Sequence, residues 1–129
     1  MMQKIITLCL IVVGLINFAP VLGVLSVQNI EAAYGLGIAD SNIGILMRHR
    51  ALLFGILGGF VLCAAFIPRY QVAAMSMAGA SMIGYAMLVL GAGGYNPMLA
   101  KVLVADFVGI TFLCIAIILK IIAALGKNP

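Results

Sequence analysis

Residues 98–125 read MLAKVLVADFVGITFLCIAIILKIIAAL, an apolar run that only Lys101, Asp106 and Lys120 interrupt with charge. Coiled as a helix at about 1.5 Å per residue, it reaches roughly 42 Å, more than the ~30 Å hydrocarbon core of a bilayer. Lys120 stands near its end, where a long stem carries an ammonium out to the interface. A segment of this length and polarity reads as a membrane span, and the rest of the chain follows the same rule.

Three further runs qualify. Ile5 to Val27 is broken lightly by Thr7, Asn17 and Pro20. Its start resembles a signal peptide, with Lys4 ahead of an apolar stretch and Val21-Leu22-Gly23 as a cleavage-like site. The run continues beyond that site through Val24 and Leu25, so a retained span is expected. Ala51 to Ile67 and Val72 to Ala92 are the other two, separated by the turn Pro68-Arg69-Tyr70-Gln71. The expected spans are therefore about 5–27, 43–67, 72–92 and 98–125, and the expected fold is an all-α integral membrane four-helix bundle with up-down topology. All of 1–129 is read as one domain.

Whole-chain composition agrees. The chain is 66% hydrophobic and 8% charged, with a mean hydropathy of +1.32, whereas a soluble domain carries roughly a quarter of its residues charged. The net charge of +4 comes from basic residues scattered singly between apolar runs. A phosphate-tracking surface needs them clustered on one face, so no nucleic-acid partner is expected; membrane lipid is. Cys9, Cys63 and Cys114 fall inside apolar runs without CxxC or metal-ligand spacing, and read as thiols packed as small hydrophobes. Bilayer orientation rests on four basic residues at the end of the bundle holding both termini against three at the other, which places the termini in the cytoplasm.

Local signals set the connections. The polar interval Gln28 to Asn42 predicts a short interfacial helix over Asn29 to Tyr34, broken by Gly35 and Gly37. Asp40, Ser41 and Asn42 are N-cap residues for a helix starting near Ser41, which Pro68 ends. Gly91 to Pro97 reads as a loop. Gly55 and Gly59 form a GxxxG, and Ser76, Ala80 and Gly84 repeat at four-residue spacing. Both stripes predict close approach between helices. The methionines of the third span are expected to fill the packing between spans.

Alternating spans bring Glu31, Asp40, Arg48, His49, Arg50, Lys101 and Asp106 to one end of the bundle, and six of these form the candidate site: Glu31, Arg48, His49, Arg50, Lys101 and Asp106. A carboxylate at Asp106, flanked by apolar residues, costs several kcal/mol unless paired or protonated. Arg48 and Arg50 are its expected partners, with Lys101 second. One reading makes this a tether that sets helix register. The other makes it a polar pocket at the mouth of the bundle, with His49 and Glu31 binding a small molecule, a lipid headgroup or a proton. A single histidine excludes bis-histidine haem, and neither a metal site nor a cofactor is expected. The phosphate-loop, dinucleotide, nucleophile-elbow and zinc-protease motifs are absent from the sequence, as are the paired-histidine patterns of nucleotidyl transferases.

The order of these features resembles that of the small DoxX-like four-helix membrane proteins. The likeness is carried by Asn17-Phe18-Ala19-Pro20 closing the first helix and by Ala33-Tyr34-Gly35 after it. Met47-Arg48-His49-Arg50-Ala51 opening the second, Pro68 ending it, and Asp106-Phe107-Val108-Gly109 in the fourth complete it. The resemblance implies a four-helix bundle in a bacterial cytoplasmic membrane and transfers no catalytic residue. Some relatives are associated with quinone oxidoreduction or with partner subunits, and the resemblance keeps those roles open without assigning either. The expected function is an accessory subunit, with a partner membrane subunit or as a homo-oligomer, or a binder of a lipid-like or small hydrophobic ligand. The alternative is an oligomeric transporter or channel for protons or small solutes.

Overall fold

Proline and glycine positions account for most of the element boundaries. In the computed structural model, which describes residues 1–127 other than 36 and 38, α1 spans Met2–Phe18 and tightens into a 3₁₀ turn over Ala19–Val24. Pro20 supplies no N–H to the helix, and that is where the winding changes. Ser26 caps α2 (Val27–Tyr34), its side chain accepting from the Asn29 N–H, and Gly35 ends it at φ +64, a left-handed conformation that glycine adopts without strain. Asp40 caps α3 (Ser41–Phe66), accepting from the Asn42 N–H. Ile67 is extended before Pro68, and a 3₁₀ turn over Pro68–Tyr70 leads into α4 (Gln71–Gly91). Asn96 caps α5 (Pro97–Leu125) with Pro97 in the first turn.

α1 with its 3₁₀ extension, α3, α4 and α5 are long and apolar enough to cross a membrane. The described chain is all-α, and each span starts and stops within about three residues of its expected bounds. Leu36, Ile38, Asn128 and Pro129 lie outside the described residues, including the residue between Gly35 and Gly37 in the expected break and the end of the expected 1–129 domain.

The four spans form a ring in the order α1, α3, α4, α5, with α1 packing most extensively on α3 and α5. Glycines fix the antiparallel register of α1 on α3: Gly14 faces Leu62, Gly58 faces Phe18 and Gly55 faces Val21, so positions rise on one helix as they fall on the other. A Cβ at Gly58 would lie 2.6 Å from the Phe18 Cα, so backbone meets backbone there. Gly59, by contrast, has nothing within 4 Å of where a Cβ would stand. The close approach expected of the Gly55–Gly59 pair is thus made by Gly55 and Gly58.

The expected stripe on α4 is also corrected. Ser76 and Ala80 face outward and Gly84 meets no neighbour, while Ala74, Ala78 and Met82 point into the core. Of the methionines in this span, Met75 and Met82 pack inside, and Met77 and Met87 face outward. Cys9 is buried as expected, but Cys63 and Cys114 are exposed. In a bundle whose solvent is hydrocarbon, an outward thiol or thioether costs little.

Core packing is densest in the half of the bundle that holds the termini, where Ile6, Leu10, Val13, Val61, Ala64 and Ala78 are essentially inaccessible. Polar groups close that end. Gln71, fully buried, donates through Nε2 to the Ala65 carbonyl and accepts at Oε1 from Lys120 Nζ at 2.8 Å. Thr7 Oγ1 donates to the same Ala65 carbonyl, and Lys120 also reaches the Pro68 carbonyl. Ala65 belongs to the last turn of α3, whose carbonyls lack helical partners, so side chains of α1 and α4 satisfy it. The expected outward reach of Lys120 becomes a clasp between spans.

Candidate functional site

At the opposite end the spans diverge around a cavity of about 620 Å³. Its wall comes from the end of α1 and its 3₁₀ extension, from α2, α3 and α5, and from Tyr85 of α4. Most of the lining is apolar, including Ile16, Leu22, Ile30, Met47, Ala51 and Val102; Asn17, Asn29, Tyr34, Arg50, Tyr85 and Asp106 are the groups with polar ends.

α2 lies across this end and is held at both of its termini. Asn29 Nδ2 donates to the Leu22 carbonyl near its start. At its other end Asn96 serves twice: Oδ1 accepts from the Leu99 N–H to cap α5, and Nδ2 donates to the Tyr34 carbonyl at 2.7 Å. Ile30 is the wedge that seats α2. It is 1% exposed and occupies the space a side chain at Gly23 would take, its Cγ1 lying 2.9 Å from that Cβ position.

Of the residues expected to form the site, Arg50 and Asp106 are brought into the cavity together. Glu31 lies half-buried on α2, and His49 and Lys101 are exposed; none of these three lines the cavity. Arg48, also outside it, donates through Nε to the Val24 carbonyl at 2.8 Å, bracing α3 against the 3₁₀ turn.

The expected pairing of Asp106 with an arginine does not form among the described residues. Arg50 turns to aromatic partners instead. Its Nη1 donates to Tyr34 Oη at 3.1 Å, and its guanidinium lies 4.8 Å from the Phe54 ring centre and 5.4 Å from that of Tyr34. A planar guanidinium stacks well on such faces, and this hydrogen bond uses one of its five N–H donors. The carboxylate of Asp106 therefore faces the same cavity as Arg50 without joining it. Asn17 donates one of its two amide hydrogens through Nδ2 to the Val13 carbonyl at 2.9 Å. Tyr85 donates to the Leu99 carbonyl at 3.3 Å.

Tyr34, Phe54 and Tyr85 were not among the expected site residues, although each lines the cavity. Their signal in the sequence is faint: an aromatic ring in an apolar helix reads as packing or as an interface anchor. Among the described residues no group of three or more His, Cys, Asp or Glu side chains converges as metal ligands would.

The geometry defines a multi-pass helical membrane protein with a largely apolar cavity in the half of the bundle away from the termini. Comparisons with protein-family models, with curated proteins and with solved structures find no match for this chain.

Proposed function

We propose that this protein binds a small hydrophobic or lipid-like molecule in the cavity beneath α2, acting as a non-catalytic membrane protein, alone or as a subunit of a larger assembly. The carrying observation is the cavity itself. Its volume falls within the roughly 300–1,000 Å³ typical of ligand pockets, its wall is apolar, and a few polar groups converge in it. On this reading the chain is a DoxX-like protein of the bacterial cytoplasmic membrane with both termini in the cytoplasm and the cavity in the half of the bundle toward the far side. The packed half of the bundle favours binding over conduction: Leu10, Val13, Val61 and Ala64 stand fully buried between the cavity and the opposite face, where a channel needs a hydrated path.

Photocrosslinking tests the reading. A diazirine-bearing monoacylglycerol, incubated with the protein in phosphatidylcholine nanodiscs, is expected to label Met47, Phe54, Val102 and Ala105, which line the cavity. Ala105→Trp, which fills the space, is expected to reduce that labelling at least about tenfold, the equivalent of ~1.4 kcal/mol, with helical content unchanged. Labelling spread over outward residues such as Leu88 and Ile118 and indifferent to Ala105→Trp rules the binding site out.

A further inference from the structure

Resting on the binding reading above, the chemistry of the cavity narrows the ligand class. Asp106 and Arg50 each stand nine residues beyond the first residue of their helices, α5 beginning at Pro97 and α3 at Ser41. At ~1.5 Å per residue both lie about 13 Å along the helix from the same end of the bundle. Two opposite charges thus face one apolar cavity from two helices, within each other's field but without a direct salt bridge. Charge at such depth without a salt bridge is costly, and side chains that bear it usually pair or mark a functional path.

We propose that the cavity receives a single-chain amphiphile whose head carries a primary ammonium and an anionic oxygen, the ammonium on Asp106 and the oxygen on Arg50. Arg50 is prepared for this role. Tyr34 and Phe54 hold its guanidinium in place, and N–H donors remain for an anionic oxygen. Asp106 supplies hydrogen-bond acceptors, and Asn17, which gives one of its amide hydrogens to the Val13 carbonyl, lines the same cavity. Such acceptors favour an ammonium with N–H groups. A quaternary ammonium has no N–H to give them, and the faces of Phe54 and Tyr34 already hold Arg50. The apolar wall and the cavity volume suit one acyl chain, whereas a two-chain phospholipid is too large to enter whole.

Displacement of the diazirine-bearing monoacylglycerol in phosphatidylcholine nanodiscs tests the assignment on the unaltered protein. The competitors are lysophosphatidylethanolamine, lysophosphatidylcholine, palmitate and hexadecylamine, the lysolipids bearing one palmitoyl chain. Lysophosphatidylethanolamine is expected to displace the probe at a roughly tenfold lower concentration than any of the other three. Asp106→Asn is expected to abolish its advantage over palmitate, and Arg50→Gln its advantage over hexadecylamine. Cavity labelling displaced equally by all four, or by lysophosphatidylcholine as readily as by lysophosphatidylethanolamine, overturns the zwitterion assignment while leaving the cavity as a binding site. Absence of cavity labelling overturns both.

Discussion

Gly58→Ala is expected to destabilise the bundle by about 1–3 kcal/mol, and Gly58→Leu to prevent its assembly. At this position α1 and α3 touch backbone to backbone: the added Cβ would press on Phe18 N and stand 2.6 Å from its Cα. No flexible side-chain end is available to yield, so the helices must separate, and the contacts on either side, Gly14 with Leu62 and Gly55 with Val21, loosen with them. Gly59→Ala is the internal control. Nothing lies within 4 Å of its Cβ position, and alanine is the better helix former, so stability is expected to stay level or rise by up to ~1 kcal/mol. Thermal or denaturant unfolding in detergent, followed by circular dichroism, separates the two. Equal losses at both glycines would contradict the register of α1 on α3.

The second large effect is expected at the opposite end. Gln71→Met removes the acceptor that holds Lys120 Nζ at 2.8 Å and the donor to the Ala65 carbonyl. Hydrogen bonds to a charged group are worth about 1.5–3 kcal/mol, and Lys120 is half-buried and able to reach water, so a loss of ~2 kcal/mol is expected. Lys120→Met alone leaves Gln71 Oε1 buried without that donor and is expected to cost ~1–2 kcal/mol. The double variant is expected to be less damaged than the two single losses combined, because apolar groups of similar shape then replace both partners. Strict additivity in the same unfolding measurement would show that the two side chains do not act together.

What the sequence revealed divides along a physical line. Boundaries were legible where one residue's chemistry decides them: Pro68 cannot continue α3, Gly35 takes the left-handed φ that ends α2, and Asp40 caps α3 with its own oxygen. Facing was not legible. A span surrounded by lipid on one side and by other helices on the other is apolar all round, so periodicity gives little indication of which stripe is inside. Gly55 and Gly59, four residues apart, therefore suggested one packed face, whereas the contact made is at Gly55 and Gly58. The same ambiguity put Ser76 and Ala80 in the expected interface and left Ala74 and Ala78 unremarked, although the latter pair is buried.

The site was half legible for a related reason. Asp106 announces itself because a carboxylate in an apolar helix demands explanation, and helix alternation placed arginines at its end of the bundle. Charge alone then suggested an ion pair. The aromatic residues that compete for Arg50, Tyr34 from α2 and Phe54 one helical turn further along α3, carry no such announcement. Nor can the sequence show that α2 closes over the spans instead of lying flat beside them. That arrangement depends on Asn96 reaching the Tyr34 carbonyl across a long chain separation. His49 and Lys101, conspicuous as letters, face outward.

Every part of the account requires hydrocarbon around the outer face, where Leu88, Leu125, Phe66 and Met87 are each at least two-thirds exposed. Extraction and size-exclusion chromatography of the intact chain test this directly. The protein is expected to stay with the membrane through an alkaline carbonate wash and to come off as a folded, monodisperse species only in the presence of detergent. A helical, monodisperse particle recovered from membrane-free buffer with no amphiphile added would contradict the account at its foundation.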